Sequence, residues 1–242
     1  MKTLIQVEVY KLKRSKVVLI TTVLTILALF QGWDFAKLGL EEQAEDVFRA
    51  FLYQGSMSVY SWLILPLIIT FVLALMARME HSNNSWKLYL AMPVEKGKVY
   101  VAKLFVGVGI ILYSLILLYL GLIFASYFLG LESIPYIWLA KRFSILFVAS
   151  LAITGLIFYV SYRFNQFIVP ILIGAGFAFP SMFIANSEKY WILYPWDYPI
   201  VSSLSFVFDM GNKGVFMLII SISIFLAAVI IGLLRFRTKD VL

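Results

Sequence analysis

The chain has 242 residues, of which 62% are hydrophobic, 17% aromatic and only 14% charged. A soluble domain averages about 45–50% apolar and about 25% charged residues, so this chain has too little polar side chain to cover a soluble surface. The composition excludes a soluble globular enzyme, a disordered protein and a secreted disulfide scaffold, and it indicates a bilayer protein. Because the sequence contains no cysteine and a single histidine, His81, thiolate sites and multi-histidine metal sites are excluded as well.

Six stretches are apolar enough to cross a membrane, which requires about 17–25 residues of helix. Strand-type alternation does not run through these stretches, so a β-barrel is not supported. We predict an all-α membrane protein with a single six-span domain over residues 1–242. The predicted spans cover residues 17–33, 59–77, 104–131, 143–162, 164–187 and 214–234.

The distribution of charge predicts which way round the spans lie. Six spans put both termini on one side, and the segments on that side carry fourteen Lys and Arg against four acids. The segments on the other side carry six Lys and Arg against nine acids. The net charge of +7 therefore divides into +10 on the first side and −3 on the other. The positive-inside rule therefore places both termini in the cytoplasm. The adjacent pair Lys141 and Arg142, which falls outside, is a local exception.

The predicted spans lack the residues that an ion-driven transporter needs. They contain no ionisable residue other than tyrosine, whereas proton relays and ion-coupled sites need such residues inside the membrane. The sequence has no P-loop for ATP, and we expect no cofactor in this chain and no nucleic-acid partner. A permease powered from outside its own chain, an immunity or scaffold protein and a lipid-handling protein remain.

The loop between spans two and three, residues 78–103, is the most informative segment. Residues Ser82–Ser85 are rich in helix N-cap types, and Pro93 ends the short helix that follows. Trp86 and Leu90, four residues apart, give this helix an apolar face. One interpretation is an interfacial helix whose aromatic side chains anchor in lipid headgroups. The other is a docking helix for a cytoplasmic partner.

This loop resembles the coupling region of ATP-binding-cassette transporter permeases of the type-2 exporter class. In that family a Glu after span two opens a coupling helix, and a Leu-rich turn, Pro-Val, a basic residue and a Lys at the start of span three follow. The matching residues here are Glu80, Leu88, Leu90, Pro93, Val94, Lys96 and Lys103. The stretch Glu8–Lys16 resembles the interfacial helix that opens the family, although the apolar side of residues 2–16 is weakly defined.

The resemblance covers essentially the whole chain and implies its partners. It implies a second permease chain, identical or paralogous, the surrounding membrane lipid, and separate P-loop ATPase subunits that hold ATP and Mg. This chain would then be a transport subunit and not an enzyme. The residues implied to contact the ATPase are Glu80, Trp86, Lys87, Leu88, Leu90 and Pro93, with a second contact centred on Arg163.

The aromatic segment Trp191–Pro199 resembles permeases of lantibiotic- and bacitracin-type immunity exporters of the bacterial plasma membrane. The specific part is Tyr194, Pro195, Trp196 and Pro199. The resemblance implies export of an amphipathic antimicrobial peptide, with residues 186–213 forming a re-entrant or cap element that closes the outer end of the path. The alternative is a non-transporting membrane immunity or sensor protein, which binds its ligand without an ATPase.

Two further segments are predicted to have a function at the outer side or in the path. Apolar residues at helical spacing between Leu40 and Leu52 predict an acidic amphipathic helix outside, which either rests on the outer leaflet or attracts a cationic peptide. In span five, Gly174 and Gly176 lie between Pro170 and Pro180. Small residues permit close helix approach, so these glycines serve either packing or a path and dimer interface.

Overall fold

The computed structural model describes residues 1–82, 95–131, 134–164, 166–187, 189–204 and 213–238. These residues form an all-α protein with six helices that are long and apolar enough to cross a membrane, which confirms the predicted fold class. The spans are Val17–Glu41, Val47–Met79, Lys96–Phe128, Tyr136–Arg163, Ile168–Ala185 and Lys213–Phe236. Large apolar side chains on these helices remain exposed, as expected for surfaces that face lipid, among them Leu19, Phe30, Phe105, Leu120 and Phe124.

The first two helices are joined by a tight turn. Helix α1 (Lys2–Arg14) ends at Ser15, whose hydroxyl donates to the Leu12 carbonyl, and α2 (Val17–Glu41) follows at once. The buried side of α2 is a stripe of mostly small residues at spacings of three and four, which lets neighbouring helices approach closely. The stripe consists of Val17, Thr21, Thr25, Ala28, Gly32, Ala36 and Gly39.

Span two contains two stretches of π-helix. It begins with π1 (Val47–Tyr53), continues through α3 (Gln54–Val59) and π2 (Tyr60–Ile64), and ends with α4 (Leu65–Ser82). The contact between α2 and α3 is close because neither side carries a Cβ where Gly32 meets Gly55. The hydroxyl of Tyr60 lies 2.6 Å from that of Ser114 in the third span.

The predicted outer amphipathic helix is wrong, because its residues belong to two elements. Leu40 lies in the last turn of α2, and the chain then reverses at Gln43, which has a positive φ of 53°. Phe48 and Leu52 lie in π1, where both are buried against the helices of span two and its neighbours. After the turn the apolar spacing reflects burial inside the bundle, whereas Leu40 before the turn is exposed.

Three long helices make up most of the remaining bundle. They are α5 (Lys96–Phe128), α6 (Tyr136–Arg163) and α9 (Lys213–Thr238). Helices α6 and α9 pack very closely at Gly155, where a Cβ would lie 2.8 Å from the Cα of Phe225. Ser221 of α9 donates to the Val148 carbonyl and accepts a hydrogen bond from the amide of Ala152 on α6.

Two ends of the bundle can be defined from side-chain contacts. At one end, which we name the terminal face, Tyr100 near the start of α5 contacts Phe158 near the end of α6 and Phe236 near the end of α9. At the opposite face, Tyr53 of π1 packs edge-on against Trp138 in the first turn of α6. Arg142, predicted in an outer loop, lies inside α6 with its guanidinium over the Trp138 ring.

The opposite face is closed by a short folded segment after the fifth span. Helix α7 (Ile168–Ala185) is followed by a 3-10 helix (Trp191–Leu193) and by α8 (Asp197–Ser203). Every residue of α8 is buried, which shows that this helix is inserted between longer ones and does not lie on the surface. Tyr53 donates a hydrogen bond to the Ser203 carbonyl and so links span two to this segment.

Candidate functional site

A buried ion pair holds α1 against the start of α5 on the terminal face. Lys103 donates to a carboxylate oxygen of Glu8 over 2.8 Å, and Lys11 donates to the same oxygen over 3.1 Å. The Lys103 side chain is only 1% exposed. Leu12, one turn further along α1, is also buried in the core. Helix α1 is thereby fixed by both an ionic and an apolar contact.

The charge of Glu8 is maintained by its neighbours. Burial raises the cost of ionising this carboxyl, but the Lys103 and Lys11 ammonium groups outweigh that cost and hold its pKa below the ordinary value. A charge buried in this way needs a partner with good geometry, because an unpaired ion in a protein interior is very costly. The pair therefore favours one relative position of α1 and α5.

The predicted coupling segment adjoins this ion pair in the chain. Glu80 lies in the last turn of α4, which continues to Ser82. Trp86, Lys87, Leu88, Leu90 and Pro93 lie outside the described residues. The chain is described again from Glu95, which flanks the start of α5, so Lys103 is two turns into the helix that this segment enters. Arg163 is exposed at the end of α6.

The second group of predicted residues forms an aromatic cap on α7 at the opposite face. The indole N–H of Trp196 donates to the Gly174 carbonyl over 3.1 Å, and the Tyr194 hydroxyl donates to the Phe177 carbonyl over 2.7 Å. The Phe177 ring stacks on the Trp196 ring with 5.1 Å between centroids. From span two, Trp62 donates its indole N–H to the Ala178 carbonyl over 3.1 Å.

Pro180 and Gly174 shape the part of α7 that these donors contact. Pro180 lies inside the helix and has no N–H to donate to the carbonyl four residues earlier, which weakens the helix at this level. Gly174 is buried, and a Cβ at this position would collide with the Thr70 side chain of α4. The lack of a side chain at Gly174 thus lets α7 lie directly against span two at the same residue whose carbonyl accepts from Trp196.

Asp197 is a buried carboxyl in the middle of this cap. Both carboxyl oxygens are buried and have no hydrogen-bond partner among the described residues. Burial raises the pKa of Asp197 to about 8, so the carboxyl is mostly protonated at neutral pH. Tyr198, the next residue, donates its hydroxyl to the Ile192 carbonyl and ties α8 to the 3-10 helix.

The structure brings most of the predicted cap residues together. Tyr194 and Trp196 both donate to α7, to the Phe177 and Gly174 carbonyls, whereas Gly176 lies on the outward side of α7 with open space where a Cβ would be. Pro195 and Pro199 flank them in the same segment, Pro195 half-buried and Pro199 buried in the first turn of α8.

Sequence reasoning missed two residues of the cap. Trp62 lies near the end of a predicted span, where Trp is typical of the membrane interface, so its role as a donor to α7 is evident only from the three-dimensional contact. Asp197 carried one signal, an acid inside an aromatic and proline-rich run, but acids are ordinarily exposed.

A comparison with protein families decides the assignment of the chain. The model of the family described as ABC-2 family transporter protein matches residues 4–181, which is more than half of the sequence. The chain belongs to the ABC-2 transporter family. No curated protein and no solved structure matches it.

Membership of the ABC-2 family indicates what the chain does. The protein is a multi-pass membrane permease subunit of an ABC transporter, and the family implies that an ATPase subunit works with it. The matched region runs from α1 through most of α7, so it contains the ion pair at Glu8 and the Trp196 acceptor Gly174.

Proposed function

We propose that this ABC-2 permease subunit expels an amphipathic antimicrobial peptide across a bacterial plasma membrane. A separate P-loop ATPase, which binds ATP and Mg, supplies the energy, and a second permease chain, identical or paralogous, completes the path. The terminal face lies in the cytoplasm, in line with the excess of positive charge in its loops. The opposite face releases the peptide.

The aromatic cap is the observation that carries the proposal. Around Tyr194 and Trp196 of the aromatic cap, large apolar side chains remain exposed on α7 and on the turn after it. Exposed apolar side chains of this kind suit the apolar side of an amphipathic ligand. The exposed side chains are those of Phe177, Phe179, Phe183, Tyr190 and Leu193.

At the terminal face, the arrangement suits the input of mechanical work. The segment implied to dock on the ATPase leads into α5, and α5 is joined to α1 by the Glu8–Lys103 pair. A displacement of that segment would move α5 and α1 as one unit, which is a rigid-body mode of switching. The proposed coupling residues remain Glu80, Trp86, Lys87, Leu88, Leu90 and Pro93.

Survival of bacteria that express this chain and its ATPase tests the cargo. Cells are challenged with a panel of lantibiotics, bacitracin and unrelated antibiotics, and we expect resistance to be confined to amphipathic peptides. Trp196→Ala should abolish most of this resistance, because the cap loses its hydrogen bond to the Gly174 carbonyl. Phe128→Ala, which removes an exposed aromatic ring at the end of α5 and outside the cap, is the control.

The ATPase contact is tested separately by co-purification. We expect Glu80→Ala with Trp86→Ala to release the ATPase and to remove its stimulation, whereas Lys16→Ala, an exposed change on the same face, leaves both intact. Unchanged association of the double variant would reject the coupling-segment assignment. Full resistance in cells that lack any ATPase partner would instead support a non-transporting immunity or sensor protein.

A further inference from the structure

A partly open cavity of about 280 Å³ lies at the terminal face between three spanning helices. It is enclosed by the second turn of α5 and by the last turns of α6 and α9. Its lining includes Arg163 and Arg235 together with three tyrosines, and no Asp or Glu is among the lining residues that the structure describes. The cavity is therefore positively charged and rich in hydroxyl groups.

Tyr100 points a buried hydroxyl at this cavity. Its side chain is 1% exposed, and its ring is fixed edge-on against Phe158 at 4.9 Å between centroids. The hydroxyl has no hydrogen-bond partner among the described residues. A buried donor without an acceptor is destabilising and calls for an explanation, such as a ligand. Gly232 makes room for it, since a Cβ there would collide with the hydroxyl oxygen.

The two arginines lie at the rim on different helices. Arg235 donates to the Tyr159 hydroxyl over 2.6 Å, which holds its guanidinium beside the cavity. Arg163 is exposed at the end of α6, with its guanidinium 5.7 Å from the centre of the Phe164 ring. Guanidinium groups bind phosphate oxygens in bidentate fashion, and a tyrosine hydroxyl adds a third donor. This set fits a tetrahedral anion.

Apolar surface beside Arg235 indicates a lipid as the source of the phosphate. Ile231 and Leu234, within one turn of Arg235 on α9, are 48% and 56% exposed. Ile231 precedes Arg235 by four residues and so lies on the same side of the helix. A lipid could place its headgroup in the cavity and its acyl chains along these side chains. Basic pockets between transmembrane helices bind anionic headgroups in this way.

We propose that this cavity binds the phosphate of an anionic phospholipid. The lipid would bridge α5, α6 and α9 at the terminal face and satisfy the Tyr100 hydroxyl. The proposal does not depend on the identity of the exported peptide. An acidic side chain of the ATPase is the competing occupant, because Arg163 is also the predicted centre of a second ATPase contact.

Native mass spectrometry of the full chain purified in detergent tests the site. Phosphatidylglycerol should remain bound, whereas phosphatidylcholine with the same acyl chains and inorganic phosphate should not. Arg163→Gln with Arg235→Gln should weaken retention of phosphatidylglycerol by about tenfold or more, because hydrogen bonds to charged groups are lost. Tyr100→Phe, which changes no charge, should weaken it several-fold. Lys2→Gln with Lys16→Gln removes two exposed charges from the same face and should have no effect.

Several results would overturn the proposal. Retention of phosphatidylglycerol by the double arginine variant at the native level would do so, as would an equal loss in the lysine control. Equal binding of inorganic phosphate would assign the site to a soluble anion. Loss of ATPase co-purification with unchanged lipid retention would assign the arginines to the ATPase. Thermal unfolding of Tyr100→Phe, a conservative change, distinguishes loss of the site from loss of the fold.

Discussion

At the scale of single residues, this bundle tolerates ionisable groups only under defined conditions. Glu8 keeps its charge because Lys103 and Lys11 donate to it, and these two charges lower its pKa despite burial. Asp197 has no such neighbour among the described residues, and burial raises its pKa to about 8. One carboxyl is thus stabilised as an ion and the other as a neutral acid.

Asp197 makes the stability of the cap depend on pH. Its folded pKa lies above an unfolded value of about 3.9, so the folded state binds more protons between about pH 4 and 8 and its stability falls as pH rises through that window. Asp197→Asn should raise the melting temperature by a few degrees at neutral and alkaline pH and flatten the profile. Thermal unfolding in detergent from pH 5 to 9 measures this, with exposed Glu45→Gln as control. If the melting temperature of Asp197→Asn depended on pH as steeply as that of the native protein, this role of Asp197 would be contradicted.

The Glu8–Lys103 pair should show strong coupling in a double-mutant cycle. Glu8→Gln alone breaks a buried pair and should cost about 3 kcal/mol, whereas Glu8→Gln with Lys103→Met should recover much of that loss. Because the pKa of Glu8 is lowered, the native contribution is present above the ordinary carboxyl pKa of about 4.3 and disappears only in stronger acid. Additive losses in the cycle would show that the pair does not act as a unit.

At the scale of helices, close approach at glycine determines the packing. Gly32 and Gly55 meet where α2 crosses span two, Gly174 lets α7 touch Thr70, and Gly155 lets α6 touch the backbone of α9. A bilayer provides no hydrophobic drive between helices, so such contacts and interhelical hydrogen bonds hold the bundle together. The Ser221 hydroxyl, which bonds to α6 backbone groups, is one example.

A matched pair of glycine substitutions tests this packing. Gly155→Ala should destabilise the protein by about 1–3 kcal/mol, because its Cβ would press on backbone atoms of Phe225 that cannot move aside. Gly109→Ala, in the interior of α5 with open space around it, should stabilise by up to about 1 kcal/mol. Melting temperatures in detergent give both values. Equal effects at the two positions would show that close packing at Gly155 is unimportant.

Sequence patterns predicted helices better than turns. The six spans follow from apolar length alone, because only closed hydrogen-bonding structures are stable in lipid. The turn at Gln43 did not follow, since apolar spacing continues across it from Leu40 to Leu52 and a positive φ leaves no mark in a non-glycine residue. The π-helices of span two had no sequence signal either, because i→i+5 bonding depends on surrounding contacts.

At the scale of the whole molecule, the orientation of the bundle in the membrane can be tested by cysteine labelling. The sequence contains no cysteine, so single cysteines can be introduced without background. Lys2→Cys on the terminal face should resist a membrane-impermeant maleimide in intact cells, whereas Glu45→Cys at the opposite end should react. Permeabilised cells, in which both should react, provide the control. The reverse labelling pattern would invert the proposed orientation and with it the direction of export.

The candidate site was predicted in part, for reasons that also operate at this scale. The motif residues Tyr194 and Trp196 do contact α7, at the carbonyls of Phe177 and Gly174, which lie 17 and 22 residues earlier in the chain. Trp62 joins them from span two, and Asp197 joins them because α8 packs against span two and α6. A linear pattern contains no information on such contacts. The cavity at Tyr100 combines three helices and was not visible in any single segment.

The two π-helical stretches of span two would allow this span to change its length. Each wide turn packs more residues into a given length than an α-helical turn does, and π1 and π2 lie between the opposite-face end of the span and its contact with α7 at Thr70. Tightening either stretch to α-helix would lengthen the span and swivel Arg49 and Tyr53 away from Trp138. Because Trp62, within π2, donates to α7, only a change in π1 could loosen the opposite face and leave the contact between span two and α7 in place.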